Sequence, residues 1–146
     1  MRVYLDNCCY NRPYDDQTQL RISLESQAKM DVQSRIKKGE IELATSYMTT
    51  YENSMNPIDM RRRNIDEFQL EYATAHVLES ADEKVKAMVS DIEDTGIKHK
   101  DACHVACAIL SESDFFLTTD DRLLKYKTDR IELLNPIAFI ARLEGM

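Results

Sequence analysis

Glycine and proline are scarce in this chain, which has only three of each among its 146 residues. So few of these residues cannot form an interdomain linker, and the sequence contains no internal repeat or low-complexity stretch. Hydrophobic residues make up 43% of the chain and charged residues 31%, which is typical of a globular protein and argues against disorder. We therefore predict a single domain over residues 1–146, long enough to fold around its own core.

Long hydrophobic runs are also missing, and no apolar stretch approaches the roughly 20 residues that a membrane-spanning helix needs. The opening stretch MRVYLDNCC has one basic residue followed by an acid, which is unlike a secretory signal peptide. In the absence of such a signal, the four cysteines are expected to be free thiols in a reducing compartment. These features predict a cytoplasmic protein without a membrane segment.

Basic residues are too few to make the chain positive, because 19 Lys and Arg stand against 26 Asp and Glu and leave a net charge of −7. A molecule of this charge repels nucleic acid over most of its surface. Any role in nucleic-acid chemistry therefore requires a local basic patch or a bound cation.

Short apolar segments alternate with helical patterns along the chain. The predicted strands cover residues 2–5, 41–45, 76–78, 115–118 and 131–134. The predicted helices cover 20–36, a region up to about 73 that is interrupted before Pro57, then 81–94, 101–110, 123–127 and a last helix opened by Pro136. Residues 7–16 are expected to form a polar turn. This alternation predicts an α/β fold with a parallel sheet of about five strands, covered by helices on both faces.

Carboxylates follow several of the predicted strands. Asp6 follows the first strand, Asp120 follows the fourth, and Glu52 lies one or two helical turns beyond the second. These three should meet at the carboxyl edge of the sheet, where parallel α/β sheets bind ligands. Asp101 joins them only if its helix begins at that edge.

Such a cluster of carboxylates would repel unless a cation lay among them, and an all-oxygen site suits Mg²⁺ or Mn²⁺. A hard divalent ion at this place would support phosphodiester hydrolysis. Taken singly, each acid is also compatible with a turn, a helix cap or a solvated helix surface. Composition and spacing alone therefore leave the metal cluster one of several interpretations.

Four stretches give the acids a more specific context. YLDN (4–7), TSYMTTYE (45–52), KDACHVACA (100–108) and FLTTDDRLL (116–124) occur in this order. Together they resemble the motifs of the PIN-domain ribonucleases, which include the toxins of bacterial and archaeal toxin–antitoxin pairs. The resemblance extends from Val3 to about Leu143.

The resemblance implies a three-layer α/β/α fold and a Mg²⁺ or Mn²⁺ site at the positions of Asp6, Glu52, Asp101 and Asp120. It implies cleavage of single-stranded RNA by a metal-activated water, which leaves 5′-phosphate and 3′-hydroxyl ends. It also implies an antitoxin partner and a homodimer. Asp121 is an additional acid, but Asp120 fits the Thr-x-Asp motif of the family.

Several side chains are candidates for holding RNA. The only dense basic run is Arg61, Arg62 and Arg63, which could bind phosphates or could form a solvated helix face. Arg12 lies in the segment after Asp6 and is a further candidate phosphate contact. Asn7, which stands where the family usually has Thr or Ser, could hydrogen-bond a ligand or a water.

Other interpretations remain open at this point. His104 is expected to be a packing residue rather than a general base. A PIN-like fold that binds RNA or protein without cutting would make substitution of Asp6 or Asp101 harmless. A phosphotransfer enzyme with Asp6 as nucleophile is disfavoured, because Cys8 stands where the common pattern needs a second Asp.

Overall fold

A five-stranded parallel sheet forms the centre of the computed structural model, which describes residues 1–145. Its strands are β1 (Arg2–Leu5), β2 (Glu42–Ser46), β3 (Ala73–Val77), β4 (Phe115–Leu117) and β5 (Glu132–Leu134). They lie side by side in the order β3-β2-β1-β4-β5, and every neighbouring pair is parallel. The predicted α/β fold with a parallel sheet is confirmed.

Helices connect the strands. They are α1 (Asn7–Asn11), α2 (Leu20–Lys37), α3 (Tyr47–Ser54), α4 (Asp59–Tyr72), α5 (Asp82–Glu93), α6 (His99–Leu110), α7 (Asp121–Leu124) and α8 (Pro136–Leu143). None of the helices within residues 1–145 is long and apolar enough to cross a membrane. All four cysteines are free thiols.

The central strand β1 divides the core between the two faces of the sheet, because successive side chains of a strand point to opposite sides. Tyr4 is fully buried on one face, in a cluster that includes residues of α5 and α6. Val3 and Leu5 are fully buried on the other face, in a cluster that includes residues of α2, α4 and α8. The molecule therefore has the three-layer α/β/α arrangement that the sequence predicts.

Three local predictions are wrong in detail. Residues 7–11 form helix α1 instead of a turn, because the Asp6 carboxylate caps the chain by accepting the Asn7 N–H at 2.8 Å. Strand β3 begins at Ala73, directly after α4, and not at His76. Helix α7 begins at Asp121 instead of Leu123, because Asp120 caps it.

Candidate active site

The carboxyl edge of the sheet brings together the acids that the sequence singles out. Asp6 follows β1 directly, and the Thr-x-Asp segment that ends in Asp120 follows β4. Helix α3 starts immediately after β2 and carries Glu52 on its second turn. Asp101 lies in the first turn of α6 and lines a cavity of about 500 Å³ together with Asp120. The start of α6 therefore lies at the same edge as the strand ends.

Asp101 carries a carboxylate whose charged form is disfavoured by its surroundings. Burial raises the pKa of Asp101, and the negative charges of Asp6, Asp120 and Glu52 raise it further. Among residues 1–145 no hydrogen bond or ion pair holds its carboxylate. A cation beside Asp101 would relieve this repulsion.

Asp6 is held rigidly at the end of β1 and is only 7% exposed. Its Oδ1 accepts the Asn7 N–H, and its Oδ2 accepts the hydroxyl of Thr118 at 2.8 Å. The Cys8 thiol lies 3.4 Å from the same Oδ2. Thr118 thus supplies the hydroxyl that Asn7 lacks. In the sequence Thr118 is recognisable only as the first residue of the Thr-x-Asp motif, because its contact with Asp6 joins positions 112 residues apart.

Glu52 is held from the opposite side by α6. Its Oε1 lies 2.5 Å from Nε2 of His104 and 3.5 Å from Nζ of Lys100. Burial disfavours the charged form of Glu52, but the hydrogen bond from His104 and the Lys100 ammonium outweigh it and lower the pKa of the carboxyl. Glu52 is therefore a carboxylate at neutral pH. Lys100 was missed at the sequence level, although it stands directly before Asp101 in the KDACHVACA stretch.

The two neighbouring acids after β4 have different partners. Asp120 uses Oδ1 to cap α7, accepting the N–H groups of Arg122 at 2.9 Å and Leu123 at 3.4 Å. Asp121 forms two hydrogen bonds of 2.8 Å with the Arg21 guanidinium, which lowers the pKa of Asp121. The charge of Asp121 is thus neutralised by Arg21. Of these two acids, Asp120 is the one whose negative charge raises the pKa of Asp101.

The chemistry of this donor set fits Mg²⁺ or Mn²⁺, because all four members are carboxylates and oxygen is the ligand these ions prefer. Within the described chain, no three His, Cys, Asp or Glu side chains lie close enough to hold a metal ion as they stand. Binding through three carboxylates therefore requires side-chain rotation toward a shared point. Asp101 has no hydrogen bond or ion pair among residues 1–145 that such a rotation would break.

A groove of about 370 Å³ runs beside Glu52 and contains two of the predicted RNA contacts. Asn7 and Arg61 line it, together with Lys100, whose side chain is 63% exposed. The Arg61 guanidinium also lies over the ring of Tyr14, with 4.9 Å between its central carbon and the ring centroid. The groove thus places two cations next to the acid cluster.

The other predicted RNA contacts are engaged within the protein. Arg62 donates to the Asn56 carbonyl and to Asp59, and Arg63 pairs with Asp59 at 3.1 Å. Their roles as RNA contacts remain predictions that the geometry does not favour.

Arg12 is bound more deeply. It donates to the Thr119 hydroxyl at 2.7 Å and pairs with Asp15 at 3.1 Å and with the buried Glu25 at 3.2 Å. The geometry gives Arg12 a structural role, and its contact with RNA also stays a prediction.

No protein-family model and no curated protein matches this sequence. A comparison with solved structures does find a similar fold. A chain in the crystal structure of VapBC2 from Rickettsia felis, bound to a DNA fragment from their promoter, is similar in structure with a TM-score of 0.56. The two chains are 14% identical, and the match covers 92% of this chain and 98% of that one. A likeness at this identity concerns the fold: this chain has a PIN-like α/β fold.

Proposed function

We propose that this protein is a metal-dependent endoribonuclease that hydrolyses phosphodiester bonds of single-stranded RNA. The observation that carries this proposal is the placement of Asp6, Glu52, Asp101 and Asp120 at one edge of the sheet. There the charges of the other three raise the pKa of Asp101 beyond the effect of burial. A cation bound among the carboxylates would relieve this repulsion.

Asp101, Asp6 and Asp120 would hold Mg²⁺ or Mn²⁺, with Glu52 completing the cluster. When bound, such an ion polarises the phosphate and makes a nearby water more acidic. Glu52 stays ionised through its contacts with His104 and Lys100, so it can accept a hydrogen bond from the attacking water and orient it. Hydrolysis of this kind leaves 5′-phosphate and 3′-hydroxyl ends, as the resemblance to PIN-domain ribonucleases implies.

The groove beside Glu52 would receive the RNA strand. Lys100 and Arg61 offer two positive charges to phosphates in a protein whose net charge is −7. Asn7 lies at the same groove and can hydrogen-bond a base or a sugar. The charges of the groove thus attract the backbone locally while the remaining surface repels it.

The biological setting that we propose is the toxin of a toxin–antitoxin pair in the cytoplasm, held inactive by an antitoxin protein and forming a homodimer. The structural likeness to a chain of VapBC2 supports this setting, together with the motif resemblance. A pull-down of the protein from its own cells, followed by mass measurement of the intact complex, tests both the antitoxin and the dimer.

Cleavage of a mixed single-stranded RNA pool tests the enzymatic proposal. Wild-type protein should cut RNA with Mg²⁺ or Mn²⁺ and should not cut it with EDTA. Asp101→Asn should abolish cutting, whereas Asp121→Asn should retain it because Arg21 already neutralises Asp121. Equal cutting by wild type and Asp101→Asn would refute the proposal.

A second candidate function is a module that binds RNA or protein without catalysis. It is favoured by the absence, within residues 1–145, of three side chains already close enough to hold a metal ion. This candidate predicts that wild-type protein binds RNA equally well in Mn²⁺ and in EDTA. It also predicts that the protein leaves the RNA intact under both conditions.

A further inference from the structure

His104 links the acid cluster to the buried end of strand β2. It lies on α6, three residues after Asp101, and is fully buried. Its Nε2 is 2.5 Å from Oε1 of Glu52, and its Nδ1 is 2.8 Å from the hydroxyl of Tyr4. The Tyr4 hydroxyl is in turn 2.7 Å from Oγ of Ser46, the residue that caps α3. Four side chains from β1, β2, α3 and α6 thus form one continuous hydrogen-bonded chain.

The direction of this chain follows from counting donors and acceptors. Ser46 Oγ accepts the backbone N–H groups of Met48 at 3.1 Å and Thr49 at 3.3 Å, which occupies both of its lone pairs. The Ser46 hydroxyl must therefore donate to Tyr4. The Tyr4 hydroxyl then donates a hydrogen bond to Nδ1 of His104. Nε2 is therefore the ring nitrogen that carries the proton and faces Glu52. The backbone of a helix N-terminus thereby selects the tautomer of a histidine at the acid cluster.

The consequence for Glu52 is a fixed orientation. Glu52 belongs to α3, whereas the two side chains that hold its carboxylate, His104 and Lys100, belong to α6. A glutamate side chain otherwise samples many rotamers, and fixing one before substrate arrives removes that entropy from the reaction. A fully buried His104 provides a more rigid anchor than Lys100, whose side chain is 63% exposed and whose Nζ is 3.5 Å away.

We infer that His104 is a positioning residue for the candidate active site: it holds the Glu52 carboxylate toward Asp101, and Tyr4 and Ser46 keep it in the Nε2–H form. This inference rests on the proposed ribonuclease function. It assigns to His104 a role beyond the packing that the sequence suggests. Partners of this kind, which orient a metal-site ligand from behind, affect metal affinity or activity about 10- to 100-fold when they are removed.

Three substitutions separate positioning from packing. His104→Leu introduces an apolar side chain of similar bulk, which fills the same space but cannot donate a hydrogen bond to Glu52. His104→Gln restores an N–H group that can reach Glu52. Tyr4→Phe removes a single hydroxyl and keeps the ring stacked on Phe116, at a centroid distance of 5.5 Å. His99→Leu is the matched control, because His99 lies on the same helix but is exposed and pairs with Glu93.

The measurements are the affinity for Mn²⁺ by calorimetry and the steady-state constants for RNA cleavage, with thermal melting to establish that each variant is folded. His104→Leu should bind Mn²⁺ about 10- to 100-fold more weakly and lose a similar factor in kcat with little change in KM. His104→Gln should recover most of both, Tyr4→Phe should show a smaller loss, and His99→Leu should match wild type. A folded His104→Leu with wild-type Mn²⁺ affinity and kcat would overturn the inference while leaving the ribonuclease proposal intact.

The tautomer provides a readout that does not depend on activity. Nitrogen-15 NMR of the wild-type ring at pH 7 should show His104 protonated at Nε2 and bare at Nδ1, and Tyr4→Phe should weaken this preference. A proton on Nδ1 would contradict the donor count and overturn the inference. A wild-type chain that neither binds Mn²⁺ nor cuts RNA would refute the proposed function, and the NMR result would still decide whether Tyr4 and Ser46 set the donor.

Discussion

Lys29 offers a quantitative test of the structure at a distance from the acid cluster. Its side chain is buried against α4 with 6% exposure, and its Nζ donates to Oε1 of Gln33 at 2.6 Å. The ammonium also lies 5.8 Å from the ring centroids of Tyr10 and Phe68. No carboxylate pairs with it within the part of the chain that the structure describes. Burial lowers the pKa of Lys29 from 10.5 to about 8.

The difference between the pKa of Lys29 in the folded and unfolded chain makes stability depend on pH. Between about pH 8 and pH 10.5 the unfolded chain keeps the Lys29 proton while the folded chain releases it, so stability rises with pH in this window. Below pH 8 the folded protein carries the full cost of the buried charge. At 1.36 kcal/mol for each pH unit, that cost is about 3 kcal/mol. Lys29→Met replaces the lysine with an uncharged, apolar side chain of similar length, so it should remove this free-energy cost.

Urea unfolding at pH 7 and pH 9.5 measures the effect. The stability gain of Lys29→Met over wild type should fall by about 2 kcal/mol between pH 7 and pH 9.5, because wild type loses most of its penalty as Lys29 deprotonates. Other titrating groups are shared by both proteins and cancel in the comparison. Lys38→Met is the control, since Lys38 is exposed and its removal should change stability by less than about 0.5 kcal/mol at either pH. An equal gain for Lys29→Met at both pH values would refute the account of this buried lysine.

Three further predictions concern the acid cluster and its surroundings. Asp101→Asn should melt at a higher temperature than metal-free wild type at pH 7, because it removes a carboxylate whose charge folding disfavours. Calorimetric scans should show this gain shrinking as the pH falls toward 3.8, because the folded carboxyl takes up its proton first and the unfolded carboxyl follows. Arg12→Met should lower the free energy of unfolding by about 3 kcal/mol, because it removes a partner of Glu25, which is 1% exposed, whereas Arg63→Met should have little effect in the same urea titration. Lys100→Met should weaken RNA binding and reduce the slope of log affinity against log salt by about 0.7, the value for one phosphate contact on a single strand; an unchanged slope would remove Lys100 from the RNA groove.

Much of the fold follows from short-range patterns in the sequence. A four-residue spacing of apolar residues predicts one face of α2, formed by Leu20, Leu24, Ala28, Val32 and Ile36. The last three are buried there, whereas Leu20 and Leu24 in the first two turns are exposed. Alternating apolar segments predict the parallel sheet. Helix α1 was missed because its stability comes from a cap at Asp6 and from packing of Cys9 and Tyr10 in the core, which local propensity does not contain.

The candidate site was predictable where it depends on strand ends. Asp6 follows β1 directly and Asp120 lies three residues after the end of β4, so a parallel sheet places them at one edge. The position of Asp101 required the starting point of α6, which the sequence left open. The contact of Glu52 with His104 joins residues 52 positions apart, and only the packing of α3 against α6 creates it. Arg12 is close to Asp6 in sequence, but its pairing with the buried Glu25 of α2 is a tertiary contact that the sequence does not reveal.

The central claim is that the acid cluster binds a divalent cation, and Mn²⁺ binding to the purified chain tests it most directly. Electron paramagnetic resonance of Mn²⁺ titrated with wild-type protein should show saturable binding that Mg²⁺ displaces. Asp101→Asn should abolish this binding, and Asp121→Asn should preserve it. Mn²⁺ bound equally well by wild type and Asp101→Asn, or not bound at all by a folded wild-type chain, would contradict the claim.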